Sequence, residues 1–134
     1  MAVRPLPARN TYSEFSGSQG SERSPIDRAH LARYTLADPR LEREILGLFV
    51  AQLPLTLEAL RFAASDRDWR VAAHTLKGSA RAVGAWQIAE IALEAEKLGG
   101  IADQDACFAM IGRIEGAVAE LETYVAGAFP GPAN

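Results

Sequence analysis

From Ile26 to about Ala126 the apolar residues recur at spacings of three and four, and no stretch alternates with period two. Residues three and four apart share one face of an α-helix, so this spacing buries a stripe along a helix. A half-buried strand would need alternation, and none is present. The fold class that follows is all-α.

The segments can be bounded one at a time. A short helix is expected around 27–36, with Leu31, Tyr34 and Ala32 facing inward. Asp38-Pro39 reads as an N-cap followed by proline at the first helical position. The next helix runs from Arg40 to about Ser65 with Leu46, Phe49, Val50, Leu53, Leu57 and Leu60 inward, and Pro54 inside it predicts a kink. Asp66 or Asp68 caps a third helix that reaches Val83, and Gly84 ends it. A fourth, from Ala85 to Leu98, buries Ile88, Ile91, Ala92, Ala95 and Leu98 and stops at Gly99-Gly100. A fifth, from Gln104 to Ala126, buries Phe108, Ile111, Ile114 or Ala117, Val118, Leu121 and Val125. Short links between four long amphipathic helices predict an antiparallel four-helix bundle preceded by a short N-terminal helix, spanning 26–128. Residues 1–25, with Pro5, Pro7, Pro25 and five serines, are expected to be a flexible tail, and 129–134 a loose C-terminal one.

Composition narrows the function classes. The chain has 134 residues, enough for one domain. A net charge of -3 provides no cationic field for nucleic acid. No apolar run reaches the ~18–20 residues of a membrane span, and no apolar core of a signal peptide is present, so a cytoplasmic protein is expected. Cys107 is the single cysteine, best read as a small buried helical residue, and no Cys/His cluster has metal-ligand spacing.

The informative segment is AHTLKGSARAVGA, from Ala73 to Ala85. Arg67, Arg70, Val71, Lys77, Gly78 and Arg81 fall near the meridian of His74 on a helix, whereas Trp69, Ala72, Leu76, Ala80 and Val83 fall on the opposite side. His74 is therefore expected to point outward among cations. A neutral imidazole is a nucleophile at physiological pH, since its unperturbed pKa is ~6.5. Lys77 and Arg81 are expected to favour that neutral ring before reaction and to stabilise an added phosphoryl group afterwards. Glycine inside a helix costs ~1 kcal/mol against alanine, and clearance for a phosphoryl group or a partner loop is the reason assigned to Gly78. Residues 66–86 carry four basic and two acidic groups, a local excess suited to an acidic partner site. A lone helical histidine is more often a surface or core group than a reactive one. No Ser-His-Asp set, metal motif or Gly-rich phosphate loop accompanies His74.

The run His74, Leu76, Lys77, Gly78, Ser79, Ala80, followed by Gly84-Ala85, Ile88, Ala92 and Glu96, resembles the histidine-containing phosphotransfer domain family. Asp38, Phe49, Pro54, Leu57, Leu60 and Asp68 fall where that family places similar residues. The resemblance spans about Ile26 to Leu98, and its one departure is Ala95, where a larger aliphatic is usual. It implies a four-helix bundle with His74 as the phospho-acceptor, Lys77 as the phosphate-neighbouring cation and Gly78 as the clearance residue. It implies receiver domains as partners, including those of hybrid histidine kinases, which supply Mg²⁺ and the acidic pocket. The chain itself is then a carrier without cofactor, metal, ATP site or turnover, working as a monomer.

Two other readings use the same residues. One is a helical interaction module in which His74 stays unmodified; the other is the phosphotransfer fragment of a chemotaxis-type histidine kinase. If the chain from Met1 to Asn134 is the full gene product, a stand-alone carrier is expected rather than the fragment. Docking is assigned to Arg67, Arg70, Val71, Arg81 and Leu48, with Ile45, Leu48 and Leu55 forming an apolar stripe beyond the one the core needs.

Overall fold

Asp27, Asp38, Ser65 and Asp103 each place a side-chain oxygen on a free N–H at the start of a helix, and these four caps set the frame of the chain. The computed structural model describes residues 24–129, and among these there are five helices and no strand. They are α1 (Arg28–Thr35), α2 (Pro39–Arg61), α3 (Asp66–Val83), α4 (Trp86–Leu98) and α5 (Gln104–Ala128). α2 packs on α3, α3 on α4, α4 on α5, and α5 returns to α2, so the four long helices enclose one core; α1 lies against α2 and α3.

Proline and glycine act where the sequence placed them. Pro39 is the first residue of α2, and Asp38 accepts the Arg40 N–H at 3.0 Å. α2 continues through Pro54, whose ring stands on the exposed side of the helix. Gly84 (φ 82°) and Gly99 (φ 87°) end α3 and α4 in the left-handed conformation. At Gly84 a side chain would also press on Asp27 and His30, since α1 begins against this turn and Asp27 N–H donates to the Gly84 carbonyl at 2.9 Å.

α2 ends at Arg61, four residues before the expected Ser65, because Ser65 belongs to the next helix. Its hydroxyl accepts the Asp68 N–H at 3.0 Å, and the Asp68 carboxylate accepts the Ala64 N–H at 3.3 Å, a reciprocal cap that holds the link extended. The cap of α3 is thus Ser65, and neither Asp66 nor Asp68. Asp66 instead accepts the Ile101 N–H at 2.8 Å and ties the start of α3 to the α4–α5 link. Gly100 has no side chain where that carboxylate lies.

The core holds Leu46, Phe49, Leu53, Leu57 and Leu60 of α2, Ile88, Ala92 and Ala95 of α4, and Ile111, Ile114, Val118 and Leu121 of α5. Three residues differ from expectation. Tyr34 is exposed, and the neighbouring Thr35 turns inward to donate to the buried Glu42 carboxylate at 2.9 Å. Phe108 is exposed because Cys107, Ile111 and Ile114 define the inward meridian of α5 and Phe108 stands about 100° from it. Phe129, assigned to a loose tail, is buried: it caps α5, meets the Tyr124 ring edge-on and carries the Arg28 guanidinium 4.3 Å over its face. The remainder of the two expected tails, 1–23 and 130–134, lies outside the described residues. Among the described residues no helix is long and apolar enough to cross a membrane.

Candidate functional site

α3 turns Trp69, Ala72, Ala73, Leu76, Ala80 and Val83 into the core. Ala73 and Ala80 on α3 and Ala92 and Ala95 on α4 are fully buried, and residues this small let two helix backbones approach closely. Ala95, where the resembling family has more bulk, accepts a hydrogen bond from the buried Trp69 indole N–H at 2.7 Å through its carbonyl. The indole supplies volume at that level and fixes α3 against the end of α4.

That close pairing sets the geometry around His74. The His74 side chain is 68% exposed, yet its Nδ1 lies 2.9 Å from Glu96 Oε2 on α4. The other carboxylate oxygen accepts from Lys77 Nζ at 2.5 Å, with the Lys77 side chain largely buried at 14% exposure. The Lys77 ammonium first, and the His74 ring second, hold the Glu96 carboxyl below its ordinary value. An ionised carboxylate only accepts, so Nδ1 carries the proton in this pair and the Nε2 lone pair of a neutral ring is left facing outward.

Lys77 was expected to act on the ring as a bare cation. Glu96 stands between the two instead, so the Lys77 charge is matched before it reaches the imidazole. A side chain at Gly78 would meet nothing within 4 Å, so the protein itself leaves the space beside His74 open. Arg67 and Arg81 are exposed on α3, and Val71 is half exposed. Arg70 donates to the Gly99 carbonyl at 3.0 Å, which draws its guanidinium to the C-terminus of α4, the negative end of that helix. Leu48 is exposed on α2 and belongs to a different helix from the rest.

Glu96 is the member of this set that spacing along α3 could not supply. A signal was nevertheless present: residue 74 lies ten positions before Gly84 and residue 96 eleven after Ala85, so a hairpin about that turn sets them at matching heights. The other titratable groups have structural places. His30 packs edge-on against Trp86 at 4.9 Å and Tyr34 at 5.3 Å. Burial, with Asp103 and Asp66 nearby, pushes the Cys107 thiol up, and its Sγ lies 3.4 Å from the Gly100 carbonyl. No group of three His, Cys, Asp or Glu side chains among the described residues is arranged to hold a metal ion.

A family model described as Hpt domain matches residues 44–124, more than half of the chain. The chain belongs to the Hpt domain family. The match starts in α2 and runs into α5, so it takes in α3, α4 and the His74–Glu96–Lys77 set, and it reaches past the Leu98 limit of the motif resemblance. No curated protein and no solved structure gave a significant match. Hpt domains perform histidine phosphotransfer in phosphorelays and interact there with receiver domains, as carriers rather than as enzymes with a catalytic site of their own. In this Hpt domain the exposed imidazole is anchored through one nitrogen and open at the other.

Proposed function

We propose that His74 accepts a phosphoryl group from the phospho-aspartate of one receiver domain and passes it to the aspartate of another. The observation that carries this reading is the hydrogen bond from His74 Nδ1 to Glu96, which orients the ring and leaves Nε2 as the nucleophile. Nε2 attacks phosphorus, an N–P bond forms, the P–O bond to the aspartyl carbonyl breaks, and the electron pair leaves with the aspartate. The ring becomes cationic as its lone pair is used, and Nδ1–H shares that charge with the Glu96 carboxylate. Lys77 keeps Glu96 ionised and stands one turn from the incoming phosphoryl oxygens. Gly78 gives the receiver loop room to close on the ring. Transfer out reverses these steps on a second receiver.

Little of the chemistry falls to this chain beyond positioning. The receivers contribute Mg²⁺ and the acidic pocket, including receivers joined to hybrid histidine kinases, and the chain acts as a phosphoprotein of a cytoplasmic two-component relay without ATP site or turnover. The transferring form is a monomeric antiparallel four-helix bundle. Trp69 early in α3 against Ala95 late in α4, and Glu94 late in α4 bonded to Arg113 in α5 at 2.7 Å, support that orientation. Docking uses Leu48 as an apolar contact and Val71 beside His74, with Arg67, Arg70 and Arg81 as a basic rim.

Incubation with a receiver carrying labelled phosphate tests the reading. The label is expected on the chain as an acid-labile phosphoramidate, absent from His74→Gln and retained in His30→Gln. Label persisting on folded His74→Gln would show that the acceptor lies elsewhere. Receiver binding without any transfer would favour the binding-only module.

A further inference from the structure

A phosphoryl group on His74 adds negative charge to a set that is already balanced. Glu96 accepts from the Lys77 ammonium at 2.5 Å through one oxygen and lies 2.9 Å from His74 Nδ1 through the other. The Lys77 charge is therefore matched before a phosphate arrives, and its side chain is largely buried. The compensating cation comes from elsewhere on the face of His74. Arg67 and Arg81 are each seven residues away, about 10.5 Å along the helix axis. Arg70 is one turn away, on the side toward which a side chain at 74 leans, because Cα–Cβ bonds tilt to the helix N-terminus.

The fold also fixes where the Arg70 guanidinium lies. Its Nη1 donates to the Gly99 carbonyl at 3.0 Å. Glu96 stands level with His74 across the α3–α4 pair, so Gly99, three residues further along, lies roughly 4.5 Å from that level in the direction of Arg70. The guanidinium is thus drawn to the α4 side, where Glu96 also holds the ring. Asp66, one turn before Arg70, does not neutralise it, since the Asp66 carboxylate accepts the Ile101 N–H at 2.8 Å. Arg70 is exposed and makes no ion pair among the described residues. A guanidinium has five N–H donors in a planar fork, and the Gly99 carbonyl takes one of them.

We infer that Arg70 binds the phosphoryl group carried on His74 Nε2, donating to its oxygens while Nη1 stays on the Gly99 carbonyl. The inference rests on the reading of His74 as the acceptor and adds the residue that holds the phosphate between one receiver and the next. The Gly99 anchor keeps the guanidinium near the ring in advance, so less side-chain freedom is lost when the phosphate arrives. Arg70 thereby biases the phosphate toward His74 in its exchange with a receiver aspartate.

The full-length chain, phosphorylated with the small donor phosphoramidate, tests this without a receiver. The ³¹P resonance of the phosphohistidine is followed against pH in the wild type, Arg70→Met and Arg81→Met. A neighbouring guanidinium favours the dianion, so the midpoint is expected to rise by roughly 0.5 in Arg70→Met and to stay in place in Arg81→Met. The Arg70 side-chain N–H resonances of the ¹⁵N-labelled wild type should move on phosphorylation. With a phosphorylated receiver, the equilibrium share on His74 should fall about threefold in Arg70→Met. An N–P bond at His74 with unmoved Arg70 resonances and an unchanged midpoint in Arg70→Met overturns the assignment while the relay reading stands. A midpoint that rises in Arg81→Met instead overturns it in favour of Arg81. The absence of any N–P bond at His74, with either donor, overturns the relay reading and this inference with it.

Discussion

His74 Nδ1 and Glu96 Oε2 lie 2.9 Å apart across two helices that the left-handed Gly84 turn folds together. The pair couples the orientation of an exposed ring to the packing of a buried helix interface, since Trp69, Ala73, Ala92 and Ala95 decide how closely α3 and α4 approach. A surface imidazole without such an anchor would sample rotamers, and each productive encounter would then need the ring ordered first.

Glu96→Gln keeps the shape and removes the charge that compensates the ring during transfer. Phosphotransfer from a labelled receiver should slow roughly 10-fold, in line with loss of one charge-assisted hydrogen bond. Circular dichroism should stay unchanged. An unaltered transfer rate in rapid-quench measurements would remove Glu96 from the mechanism.

Because the Glu96 carboxyl is held down by Lys77 and then by His74, its pairing stabilises the fold above the ordinary carboxylate range. That stabilisation is lost as pH falls through the lowered folded-state value, since the unfolded chain then binds the extra proton first. Urea midpoints measured from pH 7 downward should decline in acid, and Lys77→Met should flatten the part of the decline due to this pair. Parallel curves for the two proteins would mean that the ion pair does not contribute.

Gly78 and Gly112 are both exposed inside helices, and a Cβ at either would meet nothing within 4 Å. Alanine at either position should therefore stabilise the fold by about 1 kcal/mol. Their functional effects should separate: Gly78→Ala slows transfer and Gly78→Leu slows it further, while Gly112→Ala leaves transfer intact. Full activity in folded Gly78→Leu would end the clearance argument.

Gly84→Ala should do the opposite to stability. Its φ of 82° disfavours a side chain, and the added Cβ would stand 3.1 Å from the Asp27 carbonyl oxygen and 3.3 Å from the His30 ring. A loss of about 2 kcal/mol is expected in urea unfolding, combining the left-handed cost with the displacement of α1. A loss below about 0.5 kcal/mol would show that α1 moves aside without penalty.

Leu48→Asp should weaken receiver affinity in calorimetric titration while the bundle stays folded, since Leu48 is largely exposed and lies outside the buried core. Arg81→Glu should slow association at low salt and lose that effect as ionic strength rises. Equal affinity for folded Leu48→Asp would place the docking surface elsewhere.

The sequence by itself determined the helices and the outward face that carries His74. Apolar spacing of three and four specifies α-helix wherever it occurs, and Asp38-Pro39, Gly84 and Gly99 mark ends through local backbone chemistry that needs no distant partner. The outward placement of His74 follows equally from Trp69, Leu76 and Ala80 on the far side of the same helix. Where two neighbouring residues both suited a role, local pattern did not choose between them. Ser65 rather than Asp66 caps α3 because Asp66 is engaged by Ile101, and Thr35 rather than Tyr34 turns inward because Glu42 on α2 accepts its hydroxyl. The hairpin spacing set residues 74 and 96 at matching heights, but only tertiary packing brought the Glu96 carboxylate between His74 and Lys77 and placed Phe129 beneath Arg28. Those contacts join separate elements, and the distance between elements is set by how small side chains such as Ala73 and Ala95 pack, which helical periodicity does not encode.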